Sequence, residues 1–180
     1  PGLGQEAGAE RLLDLVLQEA EKLPELPVVI DADGLNLLAK KRLYSTLGRQ
    51  YVLTPHLREM SRLSGKSVQE IADDMTSAVM GQQAGATIVL KDARTLVSDG
   101  DWLYINLSGN SALSTGGSGD VLSGMIGGLL AQGCTQRTAA TLAVYMHGLT
   151  AEQYCESALP HCMLARDCLL YTSDAADEED

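Results

Sequence analysis

Two short apolar runs, each closed by polar or chain-breaking residues, constrain the fold of this chain more than any other feature. "PVVIDADG" (residues 27–34) starts at Pro27 and ends on acids and Gly34, and "YVLTPH" (51–56) stops at Pro55 with His56 just beyond. Runs this short, without polar alternation, belong to buried strands of a parallel sheet covered by helices on both faces. Helical periodicity fills the intervals. From Ala7 to Lys22, Leu12, Leu13, Val16 and Leu17 fall on one face; "LNLLA" (35–39) starts a second helix, and residues 67–85 read as another. Residues 86–109 read as a strand, a turn at Asp99-Gly100-Asp101 and a further strand. Strands and helices in turn predict an α/β domain with a mostly parallel central sheet.

Ligands of open α/β sheets gather beyond the carboxyl ends of the strands. Asp31, Asp33, Thr54, His56 and Lys91 all fall at such ends. A glycine loop joins them: "STGGSGDVLSG" (114–124) sets Gly116, Gly117, Gly119 and Gly124 around Asp120. After it, Val121, Leu122, Met125, Ile126, Leu129 and Leu130 recur with helical spacing, so the loop leads into a helix N-terminus. Free amides and a positive dipole end suit a phosphate there, and glycines let the backbone approach closely. Asp120 then has two readings: a cap that accepts from first-turn amides, or a base that takes a proton from a substrate hydroxyl while the amides hold a transferring phosphoryl group. No Lys-Ser/Thr follows as in a Walker A loop, and the spacing is not that of a dinucleotide fingerprint.

A net charge of −11 excludes a surface built for nucleic acid or anionic membrane. No run reaches membrane-spanning length and no N-terminal segment resembles a signal peptide, so a cytoplasmic protein is expected. Cys134, Cys155, Cys162 and Cys168 show neither a CxxC pair nor zinc spacing and read as incidental thiols. His147, in an apolar helical stretch, and His161, after a proline, read as structural or surface residues.

Both ends of the chain depart from this pattern. "PGLGQEAG" reads as a strand-to-helix turn whose preceding strand is absent. "CLLYTSDAADE" (168–178) resembles the conceptual translation of a sequencing-library adapter; the alternative is an acidic disordered tail, since Asp174, Asp177, Glu178, Glu179 and Asp180 cluster there. Residues 1–167 are therefore read as one domain, truncated at both ends, and 168–180 are set aside from it.

"PGLG", "VVIDADGLNLLA", "LTPHLREMSRL", "IVLKDART", "GNSALSTGGSGDVLSG" and "AVYMHGLTAE" occur in an order and spacing that resembles the ADP-dependent NAD(P)H-hydrate dehydratases, a branch of the ribokinase-like superfamily. The resemblance covers residues 1–167 and implies a three-layer α/β/α fold. It also implies a repair reaction: hydrated NADH or NADPH is phosphorylated on its added hydroxyl from ADP, or ATP in some branches, with Mg2+, and phosphate is then eliminated. On that resemblance Asp120 is the base, and the amides around Gly116, Gly117 and Gly119 hold the phosphoryl group. Gly4 and His56 line the hydrate site, Asn36, Asp33 and Glu59 are candidates for substrate or metal-water contacts, and Lys91, Asp92, Ala93, Arg94, Thr95 and Gly119 contact the nucleotide. Capping of the "LNLLA" helix is the competing reading of Asp33. No metal ligands are assigned. A homo-oligomer, and an epimerase either fused upstream or acting as partner, are compatible with the resemblance.

Departures matter too. Asp92 stands where the family usually has glycine, placing an acid near the phosphates unless it points away or meets a cation. Leu57 and Arg58 replace a frequent Pro-Gly, and "GNSALSTGG" differs from the usual Gly-Asn-Pro-Gly-Met run. Two rivals stay open: a small-molecule kinase of the same superfamily, and a non-catalytic nucleotide-sensing module. As a fragment, the chain alone is expected to be inactive or poorly soluble.

Overall fold

The structure, a computed structural model, describes residues 2–80 and 85–169. In chain order the elements are α1 (Ala7–Lys22), β1 (Val28–Ile30), α2 (Asp33–Lys41), β2 (Tyr51–Leu53), α3 (Leu57–Ser64), α4 (Val68–Asp73), α5 (Met75–Met80), β3 (Thr87–Leu90), β4 (Leu96–Ser98), β5 (Leu103–Ile105), α6 (Ser118–Ala131) and α7 (Gln136–Ser157). The strands form one sheet in the order β1-β2-β3-β4-β5. β1, β2 and β3 are parallel, whereas β3–β4 and β4–β5 are antiparallel.

Residue alternation along the strands divides the interior into two cores. Ile30, Leu53, Ile88, Leu90 and Leu96 face α1 to α5, while Val52, Val89 and Val97 face α6 and α7. That is the period-two rule acting on a sheet covered on both sides, and it produces the three-layer arrangement. Each fully buried leucine or valine contributes about 1.5–3 kcal/mol, and Leu35, Leu37, Leu38, Leu53, Val52 and Leu90 all reach zero exposure.

Two elements differ from sequence expectation. The helix expected over 67–85 breaks at Asp74, whose backbone leaves the helical region and whose carboxylate accepts from the Ser77 amide at 2.9 Å, starting α5 afresh. Residues 81–84 of that span lie outside the described residues. The single strand expected before Asp99 is a hairpin, β3–β4, turning through the polar residues 91–95. Asp33 also corrects its capping reading: Ala32 occupies the N-cap and no side chain caps α2, because the Asp33 carboxylate accepts instead from the Gly4 amide (2.9 Å) and Gln5 Nε2 (3.4 Å). Cys168, set aside with the tail on sequence grounds, is fully buried beside Ala112, Ala151 and Met163. Residues 170–180 lie outside the described residues. All four cysteines are free thiols. Among the described residues no helix is long and apolar enough to cross a membrane.

Candidate active site

β1, β2 and β3 end side by side, and their ends meet on one carboxylate. Asp31, whose side chain is 6% exposed, receives the Lys91 ammonium at 3.0 and 3.3 Å, the Ser123 hydroxyl at 2.7 Å and the Ala32 amide at 2.8 Å. Thr54, buried at the end of β2, lies 3.4 Å from the Ser123 hydroxyl. Burial alone would raise the Asp31 pKa, but the Lys91 charge and the hydrogen bonds from Ser123, Lys91 and Thr54 outweigh it and hold the carboxyl below its ordinary value. The ammonium so fixed stands against the start of α6: a Cβ added at Gly119 would lie 3.3 Å from Lys91 Nζ. Any larger residue at 119 would push between the cation and the helix end.

The glycine loop enters α6 through Gly117, which is the N-cap at φ 92°, a left-handed conformation that favours glycine. The Ser118 amide bonds Thr115 and the Asp120 amide bonds Gly117, both through carbonyls. Among the described residues, the amides of Gly116, Gly117 and Gly119 have no protein acceptor. Asp120 is exposed in the first turn and caps nothing with its side chain.

His56 begins α3 and is itself a cap. Its Nδ1 accepts from the amides of Arg58 (3.1 Å) and Glu59 (3.2 Å), while Glu59 accepts from the His56 amide at 2.9 Å. This capping box leaves the ring proton on Nε2, and it uses one oxygen of the nearly buried Glu59 structurally. A parallel bridge to Lys91 holds the loop against the end of β3.

A cavity of about 660 Å³ brings together His56, Lys91, Asp92, Ala93, Thr95 and Gly119. Asp120, Gly116 and Gly117 stand at the adjoining helix start, and Arg94 is exposed off the cavity wall. Gly4 and Asn36 are elsewhere. Gly4 is tied to Asp33, and Asn36 accepts from Arg62 Nη1 at 2.7 Å in a separate shallow depression shared with Gln5.

Sequence reasoning missed that Asn106, Ser108, Asn110 and His147 line the same cavity. His147 had a usable signal: Ala139, Ala140, Ala143, Val144, His147 and Ala151 repeat at helical spacing, which places the imidazole on the buried face of α7. Burial first, and then the Lys91 charge, push its pKa down to about 4 against a smaller opposing hydrogen bond with the Ser118 backbone.

The model of the NAD(P)H-hydrate dehydratase family matches residues 1–172. The chain belongs to that family. Among NAD(P)H-hydrate dehydratases, the ADP-dependent (S)-NAD(P)H-hydrate dehydratase of Neisseria meningitidis serogroup B is 44% identical over 163 residues, covering 87% of this chain and 54% of that protein. The bifunctional NAD(P)H-hydrate repair enzyme Nnr of Coxiella burnetii is 38% identical over 170 residues, 93% of this chain and 33% of that protein. The chain thus spans between a third and about half of these relatives. The ADP/ATP-dependent NAD(P)H-hydrate dehydratase of Bacillus subtilis, solved with ATP and Mg2+, superimposes with a TM-score of 0.81 at 29% identity, over all of this chain and 63% of that one. The fold is ribokinase-like, as the resemblance implied.

Proposed function

We propose that the protein containing this chain restores NADH and NADPH from their (S)-hydrates, with ADP or ATP as phosphoryl donor. One observation carries this reading: three amides without protein acceptors and a fixed ammonium converge at the start of α6, with the exposed Asp120 carboxylate beside them. Such a cradle stabilises charge on a phosphoryl group in flight, and it is fixed before the reaction begins. The hydrate hydroxyl attacks the terminal phosphorus, Asp120 takes its proton, and the bond to the nucleotide breaks with its electron pair leaving on the nucleotide. The C–O bond of the phosphorylated hydrate then breaks, its electrons leave with phosphate, and a proton departs from the adjacent ring carbon to restore the double bond.

Lys91 and the residues through Thr95, with Gly119, hold the nucleotide, whereas His56 faces the hydrate. Gly4 and Asn36 lie outside this cavity and act on the hydrate only through its remote parts. Mg2+ neutralises phosphate charge when bound. Among the described residues no cluster of three or more His, Cys, Asp or Glu forms a cage, and none is required, since Mg2+ takes most of its ligands from phosphates and water. Asp92, on the cavity wall, is the acid placed to meet that cation. The reaction belongs in the cytoplasm, beside an epimerase, fused or separate, that supplies the (S) form.

Hydrated NADH supplied with ADP and Mg2+ tests the reading. Return of the reduced-ring absorbance supports it; a phosphorylated hydrate that accumulates instead supports the kinase. Asp120→Asn is expected to lower kcat by about 10²–10⁴-fold with little change in ADP affinity. Unchanged turnover in this variant overturns the base role of Asp120.

A further inference from the structure

His147 Nε2 is a buried side-chain nitrogen with no hydrogen-bond partner among the described residues, on a residue only 6% exposed that lines the cavity. Unpaired buried polar atoms are costly and are kept where something else completes them. Since Nε2 has no partner, the interaction with the Ser118 backbone is assigned to Nδ1, which then carries the proton, and burial with the Lys91 charge keeps the imidazole neutral. Nε2 therefore presents a lone pair.

That lone pair selects its ligand group. Phosphate oxygens have no proton to give, and a cationic donor is repelled by Lys91. An uncharged O–H or N–H remains. Position narrows the choice further. Ser118, Gly119 and the Lys91 ammonium, the phosphate end, line the same cavity as His147, and the Lys91 charge and the Ser118 backbone both reach the imidazole. The cavity is also lined by a neutral polar loop held on α7 by Ser108 Oγ donating to the Tyr145 carbonyl (3.0 Å) and Asn110 Nδ2 donating to the Ala151 carbonyl (3.0 Å). In a nucleotide with its phosphates at the cationic end, the sugar is the next group along and the first that carries uncharged O–H donors.

We propose that His147 Nε2 accepts a hydrogen bond from a ribose hydroxyl of the bound nucleotide, which makes His147 a nucleotide-binding residue. This assignment rests on the nucleotide-dependent reading given above. The test is calorimetric titration of ADP, 2′-deoxy-ADP and 3′-deoxy-ADP into the full-length protein and into His147→Leu. The wild type is expected to bind one deoxy analogue about 3- to 10-fold more weakly than ADP, and His147→Leu to bind ADP and that analogue equally. Equal binding of all three nucleotides by the wild type overturns the assignment, since water then completes the nitrogen. Equal weakening of all three by His147→Leu overturns it as well. Should the leucine variant fail to fold, the Nε2 nitrogen resonance of the wild type decides: it shifts with ADP and stays in place with the weaker analogue, and a shift common to both rules the contact out. A wild type that binds no ADP overturns the nucleotide reading itself, and this assignment with it.

Discussion

His147 reaches the core because the apolar face of α7 carries it there, and the interior resists its protonation. Its pKa falls from the ordinary 6.5 to about 4 in the folded state. Between those values the unfolded chain binds the extra proton and the folded one does not, so acid favours unfolding. The contribution is complete above pH 6.5 and is lost as pH falls toward 4, about 3 kcal/mol in all. Denaturant unfolding of the full-length protein between pH 7.5 and 4.5 should show this slope, and His147→Leu should flatten it. Asp31 acts in a lower window: its carboxyl is held below the ordinary 3.8, so its contribution is present above that value and lost beneath it. Residue by residue, legibility followed the source of the information. Lys91, His56 and Gly119 were readable because strand ends and glycine loops announce themselves in sequence, and these residues share the cavity wall. The Asp31–Ser123 bond was not readable, since it joins residues 92 apart and depends on how α6 lies across the strand ends.

The join between α7 and the loop before α6 shows how close packing shapes the cavity wall. Gly148 faces Ser108, and a Cβ there would lie 2.1 Å from Ser108 Oγ and 2.7 Å from its carbonyl carbon. Gly148→Ala must therefore push the 106–110 loop off α7, with an expected loss of about 1–3 kcal/mol in unfolding free energy and weaker ADP binding. Gly127→Ala, in α6 with nothing within 4 Å of the new methyl, is the control and should be neutral or stabilising by up to about 1 kcal/mol. Among the elements, α1 was legible to its ends because its periodicity is unbroken from Ala7 to Lys22. The β3–β4 hairpin was hidden because Leu96, Val97 and Ser98 continue the strand-like composition of Thr87–Leu90, and only pairing reveals the reversal. The break at Asp74 was hidden for a related reason, since an aspartate inside a helical pattern signals a stop only when its carboxylate takes up a new helix start.

For the whole molecule, β1 stands at one edge of the sheet, and α1 exposes Leu12, Leu15 and Val16. An open strand edge invites pairing with another copy, and exposed apolar side chains add to the tendency. Produced by itself, this 180-residue chain is expected to self-associate with rising concentration in analytical ultracentrifugation; a single monomeric species at all concentrations would argue against it. The three-layer plan was legible because apolar runs without polar alternation require cover on both faces. The β4–β5 hairpin was legible as well, because its turn at Asp99-Gly100-Asp101 stands in the sequence between two apolar runs, whereas the earlier reversal from β3 into β4 was not. The meeting of strand ends on Asp31 has a bearing on motion. Because Asp31 just past β1, Lys91 just past β3 and Ser123 on α6 share one buried carboxylate, fraying of any one of these ends breaks a bond that the others also use. Amide hydrogens around them are therefore expected to exchange at a common rate, as one cooperative unit; widely different rates at the three ends would show that they open separately.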